Sequence, residues 1–373
     1  MTSLHYDLIV VGAGIVGLAH ALEGARRGLR VAVVDRHAQC VGASVRNFGF
    51  VTVTGQGAGD TYRRARASRE VWAEVAPQAG IRIEHRGLWL LAREPEALPV
   101  LEAFLNTEMG EDCRLCRPAE AAAEAPWLRT EQALAALWSP HELRVESRQA
   151  IPMLTAWLRG AHGVHFYWEE EALEVAPPQV RTSARLLHAE RVVLCPGTEL
   201  GGVAAPWLRA RGLSLVRLQM LRVRAETGFR LGSAVMNELS LVRYRGYCEL
   251  PQAAALREAL QQSAADCLAH GVHLIAVQSA DGTLVVGDSH HAETSECPFA
   301  SEAVDGLILA QLRSSLRLQR LEVVERWIGH YPSGTQADCL ILAPEPGLRV
   351  VVVSSGTGAS TAFGIAQDVF AAW

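Results

Sequence analysis

Residues 7–11 (DLIVV) form an apolar run too short for a helix, the mark of a parallel strand covered on both faces. Directly behind it stands GAGIVG. The pattern then turns helical through Val16, Ala19, Ala21, Leu22 and Ala25, and stops at Gly28, a residue suited to a helix C-terminus. A second strand, Arg30 to Val34, ends in Asp35. Near the other end the scheme recurs: residues 350–353 read as a buried strand, followed by Gly356, Gly358 and Gly364 at a helix start. Residues 213–226 alternate Leu215, Arg217, Gln219, Leu221 and Val223 with Val216, Leu218, Met220 and Arg222, which predicts a long strand. Residues 49–53, 192–194, 240–251 and 282–291 read as further strands, with Arg243 and Arg245 on the third of these. Residues 252–269 and 301–317 read as helices, and no internal repeat or low-complexity linker is visible.

The strand, glycine turn, helix, cap, strand and acid arrive in order within one unit, which separates this motif from isolated glycines. Gly12 permits the tight turn, Gly14 lets backbone approach a pyrophosphate, and Gly17 lets the helix pack closely on the sheet. Ala13, Ile15 and Val16 complete the turn, whose helix N-terminus offers unpaired N–H groups to phosphates. Asp35, followed by Arg36, can accept the hydroxyls of an adenosine ribose and would repel a 2′-phosphate, so NADP is disfavoured. This motif alone does not separate FAD from NAD.

Composition narrows the chemistry. At 49% hydrophobic and 20% charged residues, the chain is neither disordered nor fibrous, and its 373 residues suggest two domains. No run of about 18 apolar residues appears, and residues 1–7 lack the basic start of a leader. A cytoplasmic location without membrane or nucleic-acid contact is the expectation. All 35 Lys+Arg positions are Arg; with no lysine, Schiff-base chemistry and a Walker phosphate contact are excluded. Planar guanidinium forks suited to carboxylate or phosphate remain. Arg63, Arg64, Arg66 and Arg69 look like the solvated face of a helix. Among eight scattered Cys only Cys113 and Cys116 form a CxxC, better read as free thiols than as a metal or redox site.

Beyond Asp35, the stretch AQCVGASVRNFGFVTVTGQ (residues 38–56) resembles the D-amino-acid-oxidase-like flavoproteins, which include glycine oxidase and monomeric sarcosine oxidase. In that family a small-residue segment follows the ribose acid and runs along the flavin; Ala43, Ser44, Arg46, Asn47, Phe48 and Gly49 look like it. Residues 140–159 resemble the lead into the helix before the family's adenine-side β-meander, with Val175 placed to contact adenosine. Residues 188–202 look like the strand ending in a small turn, here Pro196 and Gly197. The closing segment, with Ser355, Gly356, Thr357, Gly358, Ala359 and Ser360, resembles the helix start that faces the N1–C2=O edge of the ring.

The resemblance implies an α/β fold: a Rossmann-like FAD-binding domain, discontinuous over 1–80, 141–215 and 327–373, and a second antiparallel-sheet α+β substrate domain over 81–140 and 216–326. It implies non-covalent FAD, since Cys339 lacks the context of flavin-linked cysteines. It also implies oxidative deamination of a small primary or secondary amine through an imine. Electrons would pass to dioxygen or another acceptor, without the lysine that sarcosine-oxidase relatives use. Where family members carry an Arg that clamps a substrate carboxylate, RWIGHYPSG presents Tyr331 beside His330, which sets a plain α-amino acid in doubt. SVRNFGFVTVTGQ, LQMLR, VVGDSHH, HYPSG and VVVVSSGTG resemble a subgroup associated with bacterial phosphonate catabolism, so the implied substrate is an aminophosphonate such as 2-aminoethylphosphonate. A dehydrogenase of a glycine- or sarcosine-like amino acid, or of a 2-hydroxy acid, is the alternative.

Arg46 is the first candidate for flavin or anion contact, followed by Arg243 and Arg245, though each also suits a surface ion pair. Asp288 could pair with a substrate ammonium. His290 and His291 could contact substrate or be structural, and they call for no metal, since no carboxylate or Cys shares a ligand spacing with them. Tyr244, Tyr247 and Tyr331 could shape the pocket or fill the domain-interface core.

Overall fold

A computed structural model describes residues 4–293, 297–334 and 337–373; Met1, Thr2 and Ser3 of the segment read as leaderless lie outside the described residues. The chain builds two sheets, one of eight strands and one of ten. In the first, parallel strands run in the order Leu348–Val353, Leu186–Leu194, Leu4–Val11, Val31–Val34 and His165–Tyr167. Cys339–Glu345 adds an antiparallel edge, and the hairpin Ala172–Ala176 with Gln179–Thr182 pairs onto Leu186–Leu194.

The short apolar runs at the chain start are buried on both faces because alternate side chains serve two cores. Leu8, Val10, Val31 and Val33 pack under the helices Ile15–Arg26, Ser147–His162 and Gly358–Ala371. Ile9, Val11, Ala32 and Val34 face the other layer, against the hairpin residues Val175 and Val180 and the strand residue Leu348. Burial of this kind stabilises by about 1.5–3 kcal/mol per large aliphatic side chain. The helix Asp60–Gln78 docks on the closing helix: Arg63 and Arg64 both reach Asp368 (2.6 and 2.7 Å), and Gly364 N–H donates to Ser68 Oγ (2.9 Å).

The second sheet is antiparallel except where Ala234–Asn237 runs parallel to Ile83–Ala92. Its longest ladder pairs Ser214–Ala225 with Leu321–Ser333. The predicted strand 213–226 is thus present. Residues 240–251 are not a strand: a 3-10 turn, Glu238–Val242, leads into the short helix Arg245–Cys248. There the N–H groups of Arg243 and Tyr244 bond Ser240 O, and those of Tyr247 and Cys248 bond Tyr244 O. Leu239, Leu241, Val242 and Tyr247 are all buried on one coiled segment, a burial that strict alternation would not give. The single helix expected over 252–269 breaks at Ala264 into Ala253–Ser263 and Ala265–Ala269. All eight cysteines are free, and no helix among the described residues is long and apolar enough to cross a membrane.

Candidate active site

The two sheets enclose a cavity of about 380 Å³, within the range of small-molecule sites. Several segments open onto it. Gly14, Ile15, Val16 and Gly17 present the start of the first helix. Ala43, Ser44, Arg46, Asn47 and Phe48 form one wall, and the start of the closing helix, with Ser355, Gly356, Thr357, Gly358, Ala359 and Ser360, lines the cavity as well. Gly197 also lines it.

The glycine turn is shaped by backbone that leaves no room for side chains. Gly12 has φ +104°, and a Cβ there would lie 2.2 Å from Cys195 O. A Cβ on Gly17 would lie 1.8 Å from Gly12 O. Asp35, at the end of the second strand, accepts from Ala13 N–H (2.8 Å) and His37 N–H (2.9 Å). Ser44 Oγ accepts from Ile15 N–H (2.9 Å), while Asn47 spans Ala43 O and Gly49 N–H, so the loop is locked against the helix. Bare backbone, two helix N-termini and a carboxylate one strand away fit an adenine dinucleotide. Gly12, Ala13, Asp35, Gly49 and Pro196 lie outside the cavity lining, as do Arg36, ion-paired with Glu199 (3.0 Å), and Val175, packed beneath its hairpin.

Charged and titratable side chains also line the cavity. Arg46 and Arg243 line the cavity and have no carboxylate partner among the described residues; Arg243 Nη2 donates to Tyr331 Oη (2.9 Å). Burial pushes the Tyr331 phenol up, with Arg243 opposing. Arg245 also lines it but is held by Glu249 (2.6 Å) and Asp338 (3.0 Å). His330 lines the cavity with neither ring nitrogen hydrogen-bonded, 3.6 Å from Glu293. Tyr244 stands edge-on to His273, with its phenol pushed up by burial. Tyr247 is buried in the core, its ring centroid 4.6 Å from that of Phe104. His291 turns away to His270 (3.0 Å), leaving His290 at the cavity.

Asp288 is 4% exposed and faces two imidazoles: His273 Nε2 lies 3.0 Å from Oδ1 and His290 Nε2 3.6 Å from Oδ2. The three side chains each bring a ligand-type atom within 4.8 Å of the others, so the expectation that no carboxylate shares a spacing with the histidines is corrected. Burial acts to raise the Asp288 carboxyl, yet the imidazoles and Arg243 leave it below the usual carboxylate range. His273 was not among the residues anticipated. The readable signal was Asp281–Gly282, a turn closing the hairpin Ile275–Gln278 with Leu284–Gly287, whose continued register brings His273 N–H to Asp288 O (3.2 Å).

A profile of the family described as FAD dependent oxidoreductase matches residues 7–372. No curated protein matches the sequence. Among solved structures, a glycine oxidase from Bacillus cereus is similar at 17% identity and TM-score 0.77, covering 98% of this chain and 96% of that one. An L-proline dehydrogenase from P. horikoshii gives 16%, 0.80, 99% and 93%. An FAD-bound L-alpha-glycerophosphate oxidase from Mycoplasma pneumoniae gives 15%, 0.74, 98% and 94%.

Proposed function

Since the chain belongs to the family of FAD dependent oxidoreductases, we propose that it oxidises the C–N bond of a small amine bearing an anionic group, an aminophosphonate such as 2-aminoethylphosphonate. The observation that carries this reading is the charge pattern of the cavity. Two guanidinium groups, Arg46 and Arg243, lack carboxylate partners among the described residues, and a buried carboxylate, Asp288, stands on the same cavity. A zwitterion complements both signs. A dianionic phosphonate can engage both forks and the Tyr331 hydroxyl, whereas a carboxylate suits a single fork.

FAD would lie with its diphosphate on the backbone of residues 12–17 and its ribose on Asp35. Arg36, Val175, Pro196 and Gly197 would border the adenosine side, and residues 43–49 would line the ring. Residues 355–360 would present N–H groups to the edge that gains negative charge. The domain division is 1–80, 141–215 and 327–373 for FAD, with 81–140 and 216–326 for substrate. FAD, when bound, would supply the acceptor for a hydride leaving the carbon beside nitrogen, and hydrolysis of the resulting imine would give a carbonyl and ammonia or a primary amine. Arg46 and Arg243 would hold the anion and so orient the reacting carbon. His330 and Tyr331 line the cavity on the side of the long ladder and would shield that carbon from water.

The test is anaerobic mixing of the yellow enzyme with single compounds, followed by absorbance and by ammonia release. Bleaching by 2-aminoethylphosphonate with one ammonia per flavin supports the reading. Bleaching by amino acids but never by aminophosphonates overturns the substrate class, and bleaching by 2-hydroxy acids alone overturns C–N oxidation.

A further inference from the structure

An ammonium group cannot release hydride from its neighbouring carbon until the nitrogen lone pair is free, so a proton must leave once the zwitterion is bound. We propose that His290, backed by Asp288 and His273, takes that proton. The inference rests on the amine reading above and names the group within that site that does the work.

The geometry argues for it in three steps. Gly271 O can only accept, so the 3.0 Å contact with His290 Nδ1 fixes the proton on Nδ1 and leaves the lone pair on Nε2. Nε2 lies 3.6 Å from Asp288 Oδ2, two acceptors with no donor between them. Asp288 Oδ1 lies 3.0 Å from His273 Nε2. A proton arriving on His290 Nε2 turns the first contact into an imidazolium–carboxylate pair. His273 lies parallel to His290, with centroids 5.4 Å apart and an interplanar angle of 22°. Its Nδ1 is 3.1 Å from Ser240 Oγ, which steadies the ring against Asp288.

Besides Asp288 and His273, the groups facing His290 are Arg243, the Tyr331 ring at 6.1 Å, and Tyr244 beyond His273. Burial holds the free imidazole down to about 3, opposed by Asp288 and reinforced by Arg243 and His273. That penalty is for creating a charge in the cavity. When a bound ammonium hands over its proton, the charge already there moves a few ångströms, and the penalty is not incurred again. The step balances without an oxidant: one N–H bond of the ammonium breaks, its electron pair stays on nitrogen, and one Nε2–H bond forms. Substrate nitrogen is then neutral and His290 is an imidazolium paired with Asp288.

The rate of anaerobic flavin reduction by 2-aminoethylphosphonate against pH tests this in the wild type and in His290→Gln. A lost general base costs about 100-fold or more. The variant should therefore be at least ~100-fold slow near pH 7. It should recover toward the wild-type rate near pH 10.5, where an alkylammonium (pKa about 10.4) ionises unaided. A defect of equal size at every pH, with wild-type bleaching intact, overturns the role of His290 alone. Wild-type enzyme that no amine bleaches overturns the amine reading itself. A second readout needs neither turnover nor a variant. With ¹⁵N-histidine enzyme and an analogue carrying two methyl groups on the carbon beside nitrogen, which binds without reacting, His290 should become doubly protonated in the complex. A neutral His290 in both states overturns the proposal, as does a divalent ion that copurifies on the three side chains.

Discussion

Replacing Gly12 by alanine should damage both folding and flavin binding, and Gly28→Ala separates the causes. Both residues have positive φ, +104° and +76°, which costs an L-residue roughly 1–2 kcal/mol. A Cβ at Gly28 meets nothing within 4 Å, but at Gly12 it lies 2.2 Å from Cys195 O and 3.2 Å from Cys195 C. Neither atom can step aside. Cys195 N–H is bonded to Val11 O (2.8 Å) and Gly12 N–H to Val34 O (2.8 Å), so the clash must spread through three parallel strands. Overpacking of that kind adds about 1–3 kcal/mol. Gly12→Ala should then lose about 2–5 kcal/mol against ~1–2 for Gly28→Ala, each less the ~0.4–1 kcal/mol gained by stiffening the unfolded chain. Urea midpoints measure the stability difference, and fluorescence titration with FAD should show at least ~10-fold weaker binding for Gly12→Ala, since 1.4 kcal/mol is tenfold. Equal stabilities with unchanged FAD affinity would refute the close-approach argument.

Arg243→Ala should raise KM for an anionic amine by roughly 10- to 100-fold, the worth of a charge-assisted hydrogen bond, with a smaller change in kcat. Arg245→Ala should leave KM nearly unchanged, because Arg245 is half-exposed and already paired; steady-state kinetics on both variants decides. Arg144 is fully buried and bonds Glu146 Oε2 (3.0 Å), Ser279 Oγ (3.2 Å) and Phe48 O (3.2 Å). Arg144→Ala takes the nearest cation from buried Glu146, leaving it Ser279 Oγ (2.6 Å) and Arg222 (3.5 Å), and should cost about 3 kcal/mol in a denaturant titration. Burial lowers His20 to about 4 and His85 and His290 to about 3. Between pH 6.5 and 4 the unfolded chain binds protons that the folded one refuses, so stability is full above 6.5 and falls as pH drops. Each histidine steepens the fall by about 1.4 kcal/mol per pH unit. His85→Gln should remove one histidine's share of that slope, as read from Tm against pH.

The dinucleotide unit was legible because its parts are local: strand, bare turn, helix and acid follow one another within 35 residues, and each position is set by its nearest neighbours. The closing strand and helix were readable for the same reason. Alternation misled over residues 240–251, where Leu241, Arg243 and Arg245 mimic a strand. That segment coils because Gly246 packs on the backbone of Gly55 and Gln56, and its N–H bonds Gly55 O (2.9 Å). Such a contact joins residues about 190 apart and leaves no periodic trace. Ala264 breaks a helix that composition alone favours, its backbone at φ −143°. His273 shows the same limit at the site: its chemistry lies in facing Asp288, and only a hairpin register relates the two.

A structure of the enzyme with FAD and 2-aminoethylphosphonate, prepared without oxygen, tests the central claim most directly. The diphosphate should rest on the backbone of residues 12–17, the ring should fill the space between the two sheets, and the phosphonate should lie within hydrogen-bond reach of Arg46 and Arg243 with its nitrogen toward His290. Density for the phosphonate elsewhere, or reversed so that its nitrogen meets the two guanidinium groups, would contradict the account.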